Sequence, residues 1–307
     1  MAKMISLSHG ACASHSLSSP RSASPDWRSP KHLRSRNAEA TVSDPPEFSI
    51  VLSDENLERY ARQAIMPDIG EEGQERLLEN RMLVVGAGGL GSPAIFYLAA
   101  SGVGNLTIMD GESVDLTNLN RQILYTTASI GSQKVTQAAT TVAALNPGVN
   151  VTPLAERLED DNVEALLAAH DVVIDCSDNV NTRYRLGDAA HSTGTPLVFG
   201  GAVRTEGQLS VFHSGAGADE DSPCYRCVFP EMPDAMQAPG CSEAGILGPV
   251  TGVIGTMQHW QRSGWYSGSA AGRLASCFFL TVALAVHGDQ HVTACRLRVL
   301  RRLEHRL

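Results

Sequence analysis

The chain has 307 residues, 43% of them hydrophobic and 5% aromatic, with a formal net charge of -9, a composition that can build a sizeable core. Residues 48–258 hold 11 basic and 27 acidic side chains, whereas residues 1–47 and 259–307 are each net basic. So acidic a body repels nucleic acid, no window supplies the ~20 apolar residues of a membrane helix, and seven cysteines in a chain of this size do not form a secreted disulfide scaffold.

The first 36 residues are rich in Ser, His and Arg, and Pro20, Pro25 and Pro30 interrupt any amphipathic helix. Residues 1–47 read as a disordered extension, with an organelle-targeting peptide as the alternative; the expected location is cytoplasmic. Order is expected from near Phe48. Ser53 caps a helix with Asp54 and Glu55 in its first turn, and Leu57, Tyr60, Ala61 and Ala64 follow at helical spacing. Arg81 to Gly86 is a short buried strand running into Gly86-Ala87-Gly88-Gly89-Leu90-Gly91, and a helix follows through Ala99. Leu106–Asp110 is a second strand, Lys134–Leu145 a helix, and Asn150–Pro153 the start of a third strand. Asp171–Asp175 is another buried strand, then come a helix from about Asn179 to Thr193, a strand at Pro196–Phe199 and an alternating, antiparallel-type strand at Gly207–His213. Such alternation predicts an α/β fold: a doubly wound, Rossmann-like, mainly parallel sheet with helices on both faces.

Gly-x-Gly-x-x-Gly gains meaning from the apolar strand before it and the helix after it. Gly86 permits a tight turn, Gly88 and Gly89 let backbone approach phosphate, and Gly91 lets helix pack on strand. The helix N-terminus then offers N–H groups to an anion. Asp110, 24 residues past Gly86, ends the next strand, where an acid accepts ribose hydroxyls. A nicotinamide dinucleotide would suit all of this, but the segment Asp115-Leu116-Thr117-Asn118-Leu119-Asn120-Arg121-Gln122 argues for ATP. A dinucleotide's pyrophosphate is already held by the helix end, whereas a departing pyrophosphate needs further cations. Arg121 and Lys134 supply them; the alternative is that both are solvated helix-face charges. Asp178, after the later strand, suits Mg²⁺ bound through a carboxylate and phosphates, or else it caps the next helix.

The ordered set Arg59-Tyr60-x-Arg62-Gln63, Gly86-x-Gly88-Gly89-Leu90-Gly91, Asp110, Asn118-Leu119-x-Arg121-Gln122, Lys134, Asp175-Cys176-x-Asp178-Asn179, Cys224-Tyr225-Arg226-Cys227 and Gly240-Cys241-Ser242-Glu243-Ala244-Gly245 resembles the ubiquitin-activating-enzyme-like adenylyltransferases that act on ubiquitin-like sulfur carriers. The resemblance covers about Ser53 to Gln258 and is greatest to the eukaryotic activators of tRNA thiolation and molybdenum cofactor biosynthesis. It implies that the C-terminal glycine of a ubiquitin-like sulfur-carrier protein is adenylated with ATP and Mg²⁺. It also implies that Gly86, Gly88, Gly89, Asp110, Thr117, Asn118, Arg121, Lys134, Asp178 and Asn179 bind nucleotide, with Asp178 on Mg²⁺. Arg62 would reach the triphosphate in a partner subunit, hence a homodimer, and Cys241 would be the thiol that takes the acyl group or pairs with incoming sulfur.

Two features depart from that family. Cys224 and Cys227 are half of a four-ligand zinc site, and no second Cys-x-x-Cys follows, only Cys277 and Cys295; Zn²⁺ is therefore expected only as an incomplete site. The family pattern also stops after Gln258. The run His259-Trp260-Gln261-Arg262-Ser263-Gly264-Trp265-Tyr266-Ser267-Gly268, read one base out of frame, can encode Ala-Leu-Ala-Ala-Ile-Gly-Val-Val-Leu-Arg, the apolar helix that the family has next. The expected organisation is an extension at 1–47, an adenylation domain at 48–258 and an atypical, frame-shifted tail at 259–307 without the family's closing strand. A catalytically impaired isoform, or a binding partner of the carrier, is the alternative reading.

Overall fold

The computed structural model describes residues 52–218, 222–233, 244–260, 279–286 and 292–300. Two helices come first, α1 (Asp54–Ala64) and α2 (Gly70–Glu79), followed by β1 (Arg81–Val85), α3 (Gly91–Ser101), β2 (Asn105–Met109), α4 (Lys134–Leu145) and β3 (Asn150–Leu154). Then follow α5 (Val163–Ala168), β4 (Val172–Asp175), α6 (Val180–Thr193), β5 (Leu197–Val203), β6 (Glu206–Phe212), the single turn α7 (Tyr225–Val228), α8 (Gly248–Trp260), β7 (Phe279–Val286) and β8 (Val292–Leu300). One sheet joins the strands in the order β3-β2-β1-β4-β5-β6-β7-β8. Its β3-to-β5 half is parallel, and β6, β7 and β8 add antiparallel strands.

The period-two alternation of strand side chains assigns the two faces. Met82, Val84, Ile108, Val172 and Ile174 face one cluster with Ala94, Ile95 and Leu98 of α3, Val135, Ala138 and Val142 of α4, and Ile254 of α8. Leu83, Val85, Val173, Leu197 and Phe199 face the other cluster with Leu167 of α5, Leu186 and Ala190 of α6, and Tyr225 of α7. A fully buried side chain of this kind contributes about 1.5–3 kcal/mol, so both faces of the central strands are clamped. Doubly wound α/β architecture is therefore the observed class, as the alternation predicts.

Several elements go beyond the sequence reading. The helices α2, α5, α7 and α8 and the strands β7 and β8 were not expected. Two glycines and four glutamates dilute the apolar pattern of α2, whose buried residues include Gln74 and Gly73. Six residues are too few for α5 to show a helical period. The tail was expected to supply no strand, yet Phe279–Val286 pairs antiparallel with β6 from Glu206↔Ala283 to Leu209↔Leu280.

Candidate active site

Strand order reverses between β1 and β4, so the chain leaves their carboxyl ends in opposite directions and opens a crevice there. The glycine turn after β1 forms one wall. Gly86 has φ +96°, and a Cβ on it would stand 2.7 Å from the Cys176 carbonyl oxygen; one on Gly91 would stand 2.0 Å from the Gly86 carbonyl oxygen. These two glycines are demanded by the turn itself. Gly88 is different, because a Cβ there would meet only Gln122 Nε2, at 3.6 Å. The turn is held from both sides: Tyr125 Oη donates to the Ala87 carbonyl at 2.7 Å, and the Ala87 N–H donates to Asp110 Oδ2 at 2.8 Å. No side chain caps the start of α3; the Ser92 N–H donates to the Gly88 carbonyl at 2.9 Å and Pro93 has no N–H, so it is the Gly91 N–H, at the first helical position, that is left to solvent or an anion.

A cleft of about 530 Å³ lies against this turn. Gly86, Gly88, Gly89, Asp110, Asn118, Arg121, Lys134, Asp178 and Asn179 all line it, so nine of the nucleotide-binding residues expected from sequence converge on one crevice. Burial pushes the Asp110 carboxyl up, against the pull of Lys134 and of the Ala87 and Glu112 N–H groups. Lys134, the first residue of α4, is 2% exposed, and its Nζ lies 2.6 Å from Glu112 Oε2. Arg121 contrasts with it: Nη1 donates to the Thr117 carbonyl at 3.0 Å and to Asn120 Oδ1 at 3.3 Å, with no carboxylate partner among the described residues. Asn118 Oδ1 accepts from the Asp115 N–H at 3.3 Å, which closes a capping box with Asp115.

The other wall is the carboxyl end of β4. Asp175 is fully buried; its Oδ1 accepts from the Ser177 N–H at 2.9 Å and from Ser177 Oγ at 2.6 Å, and Oδ2 has no partner. Burial drives the Asp175 carboxyl above its ordinary range, with the Arg183 charge and the Ser177 bonds opposing. Asn179, not Asp178, caps α6, its Oδ1 accepting from the Thr182 N–H at 2.8 Å. The capping alternative for Asp178 is thereby removed, and its exposed carboxylate opens on the cleft. Beneath lies Gln258, fully buried, whose Nε2 donates to the Asp175 carbonyl at 2.7 Å and the Val198 carbonyl at 3.3 Å, while Oε1 accepts from Cys176 Sγ at 3.4 Å. Burial raises the Cys176 thiol, an inert packing residue.

Other expected residues stand apart. Thr117 does not line the cleft; its N–H and hydroxyl both donate to Asp115 Oδ1, at 2.8 and 2.6 Å. Arg62 is exposed on α1 and does not line the cleft. Cys224 and Cys227 have Sγ atoms 3.3 Å apart. Among the described residues no third His, Cys, Asp or Glu joins them, so these residues supply two of the four ligands of a tetrahedral zinc site. Cys241 lies outside the described residues. The sequence reading gave no role to Glu112, Gln122, Arg183 or Gln258, although the first three line the cleft. Glu112 had a usable signal, as a second acid two residues past Asp110 at a strand end.

An uncapped helix N-terminus, a strand-end acid, clustered cations and an exposed carboxylate at the topological switch point define a nucleotide-binding α/β protein. Residues 60–281 match the ThiF family, and the chain belongs to it. It is 45% identical over 203 residues to the sulfur carrier protein adenylyltransferase of Thermus thermophilus, covering 66% of this chain and 75% of that one. It is 44% identical over 211 residues to the SAMP-activating enzyme E1 of Haloferax volcanii, covering 69% and 76%. Against the adenylyltransferase and sulfurtransferase MOCS3 of Sus scrofa it is 45% identical over 214 residues, 70% of this chain but 46% of the relative. The chain thus spans about half the length of such two-activity relatives. The crystal structure of E. coli MccB with ATP shares the fold, with a TM-score of 0.64 at 17% identity over 82% of this chain and 74% of that one.

Proposed function

We propose that this chain adenylates the C-terminal glycine of a ubiquitin-like sulfur-carrier protein, activating it for tRNA 2-thiolation, molybdenum cofactor biosynthesis or both. One observation carries the reading: a single crevice unites the open turn at Gly88, Asp110, Arg121, Lys134 and Asp178. The relatives named as adenylyltransferases supply the substrate class. Asp110 would take the ribose hydroxyls, Gly86, Gly88, Gly89 and the α3 N-terminus the phosphates, and Asn118 would orient the phosphate chain, with Asn179 shaping the wall and Thr117 acting from outside it by holding Asp115. A carboxylate oxygen of the carrier attacks the α-phosphorus, the bond from that phosphorus to the bridging oxygen breaks, and pyrophosphate leaves an acyl-adenylate behind. Charge accumulates on the leaving pyrophosphate, where Arg121 and Lys134 offset it. Mg²⁺, when bound, neutralises phosphate charge, and Asp178 would hold it.

The rest of the reading follows the family. The enzyme works as a cytoplasmic homodimer in which Arg62 completes the partner subunit's site, and Cys241 accepts the acyl group or the sulfur. It binds neither nucleic acid nor membrane; no helix among the described residues is long and apolar enough to cross a bilayer. Residues 1–47 are an extension, 48–258 the catalytic domain, and 259–307 a tail whose shifted frame is checked by sequencing the transcript across Gln258. The activity is tested by ATP–pyrophosphate exchange with a purified carrier. Exchange that needs the carrier's terminal glycine is expected. Carrier binding without exchange would reduce the chain to a binding partner, and tight NAD binding without ATP binding would return it to the dehydrogenases.

A further inference from the structure

Three polar groups of Glu112 act inside the cleft. Its N–H donates to Asp110 Oδ1 at 2.8 Å, its carbonyl accepts from the Lys134 N–H at 3.0 Å, and its carboxylate lies 2.6 Å from Lys134 Nζ. The ion pair is lopsided, because the Lys134 side chain is 3% exposed and that of Glu112 61%. Lys134 opens α4, and a helix N-terminus disfavours a cation, so the ammonium is not placed there to stabilise the helix. It is fixed by the burial of α4, whereas the carboxylate is already largely hydrated and loses little by swinging into water. An anion entering the cleft therefore meets a cation that cannot leave and a partner that can.

We infer that Glu112 is a place-holding anion, occupying Lys134 Nζ while the cleft lacks nucleotide and yielding that position to an incoming polyphosphate. The inference rests on the ATP reading above and makes Glu112 a positioning residue. Its surroundings support it. The hydrogen bond from Lys134, with help from the charges of Lys134 and Arg157, holds the Glu112 carboxyl below its usual range despite partial burial. It thus competes as a full charge at neutral pH. Asp110, two residues away, adds a second negative group beside the same ammonium, so a phosphate arriving with Glu112 still in place would face two carboxylates. Its departure removes one of them and frees the ammonium in the same motion.

The test is calorimetric titration of the full chain and its Glu112→Gln variant with Mg-ATP, pyrophosphate and adenosine. Glutamine keeps the size but removes the competing charge, so ATP and pyrophosphate are expected to bind about fivefold more tightly, the loss of one competing ion pair with an exposed partner. Adenosine affinity stays unchanged; a merely structural role would move all three ligands together. Should E112Q fold poorly, Glu112→Asp, one methylene shorter, is expected to give a smaller gain of the same selectivity. ATP bound by the wild type, but no more tightly by either variant, overturns this inference alone. A wild type that binds neither ATP nor pyrophosphate overturns the adenylation reading and this inference with it.

Discussion

Arg121 donates to a carbonyl and an amide oxygen but meets no carboxylate among the described residues, while the neighbouring cation Lys134 is engaged by Glu112. A guanidinium presented without an ionic partner is suited to charge that develops only during reaction. Arg121→Ala is therefore expected to lower kcat/KM in ATP–pyrophosphate exchange by about 10²–10³, as loss of a preorganised electrostatic group does. Its thermal midpoint should stay close to wild type, because a half-exposed side chain with two polar contacts contributes little to folding. An unchanged exchange rate would make Arg121 a surface charge. Arg121, Asn118, Asp110 and Asp178 were legible in the sequence because each sits at a fixed offset from a strand end or turn. Glu112 offered a position two residues past Asp110 but not its partner, and Gln258 offered neither, since their meaning lies in a contact across 22 residues to Lys134 and across 83 residues to Asp175. Cys224 and Cys227 show the opposite limit: spacing brought two sulfurs together, and the lack of a second Cys-x-x-Cys already marked the zinc site as incomplete.

At the level of elements, the carboxyl end of β4 depends on α8. Gln258 serves three partners from three places, the carbonyls of Asp175 and Val198 and the thiol of Cys176. Replacing it with leucine removes two hydrogen bonds to buried carbonyls, each worth about 0.5–1.5 kcal/mol net, so a drop of about 1–3 kcal/mol in urea unfolding is expected, with ATP affinity reduced because the β4 wall shifts. Asp175 makes a separate, pH-dependent prediction. Its folded carboxyl stands above the ordinary 3.8 because burial outweighs Arg183 and Ser177. The folded state therefore holds the proton longer than the unfolded chain. The associated stability is full below about pH 3.8 and is lost as pH climbs through the raised folded value. Asp175→Asn keeps an oxygen for Ser177 but cannot ionise. Its thermal midpoint should fall less than that of wild type as pH rises above the carboxylate range, and parallel curves would sink the idea. The helix α8 supplying Gln258 was invisible to the sequence reading, whose elements stopped at the alternating strand Gly207–His213.

For the whole molecule, the balance lies between a parallel half that builds the site and an antiparallel half that protects the sheet's edge. The strands from β3 to β5 followed from apolar runs alternating with helical periods. The strands β7 and β8 did not, because residues 259–307 were read as foreign to the fold. Their backbone nevertheless extends the sheet beyond β6, with Gln208↔Thr281 and Leu209↔Leu280 in register, and β8 then covers β7 from Phe279↔Leu300 onward. A chain cut after Trp260 keeps α8 and Gln258 but bares the outer edge of β6. An open edge presents unpaired N–H and C=O groups to any other strand, and β6 is apolar at Leu209, Val211 and Phe212. The cut chain is expected to melt below the full chain and to form concentration-dependent higher oligomers by light scattering, with ATP affinity retained wherever it keeps the full chain's oligomeric state. Equal midpoints and an oligomeric state unchanged from the full chain would show that the tail contributes no edge protection, leaving β6 to be covered by something other than β7.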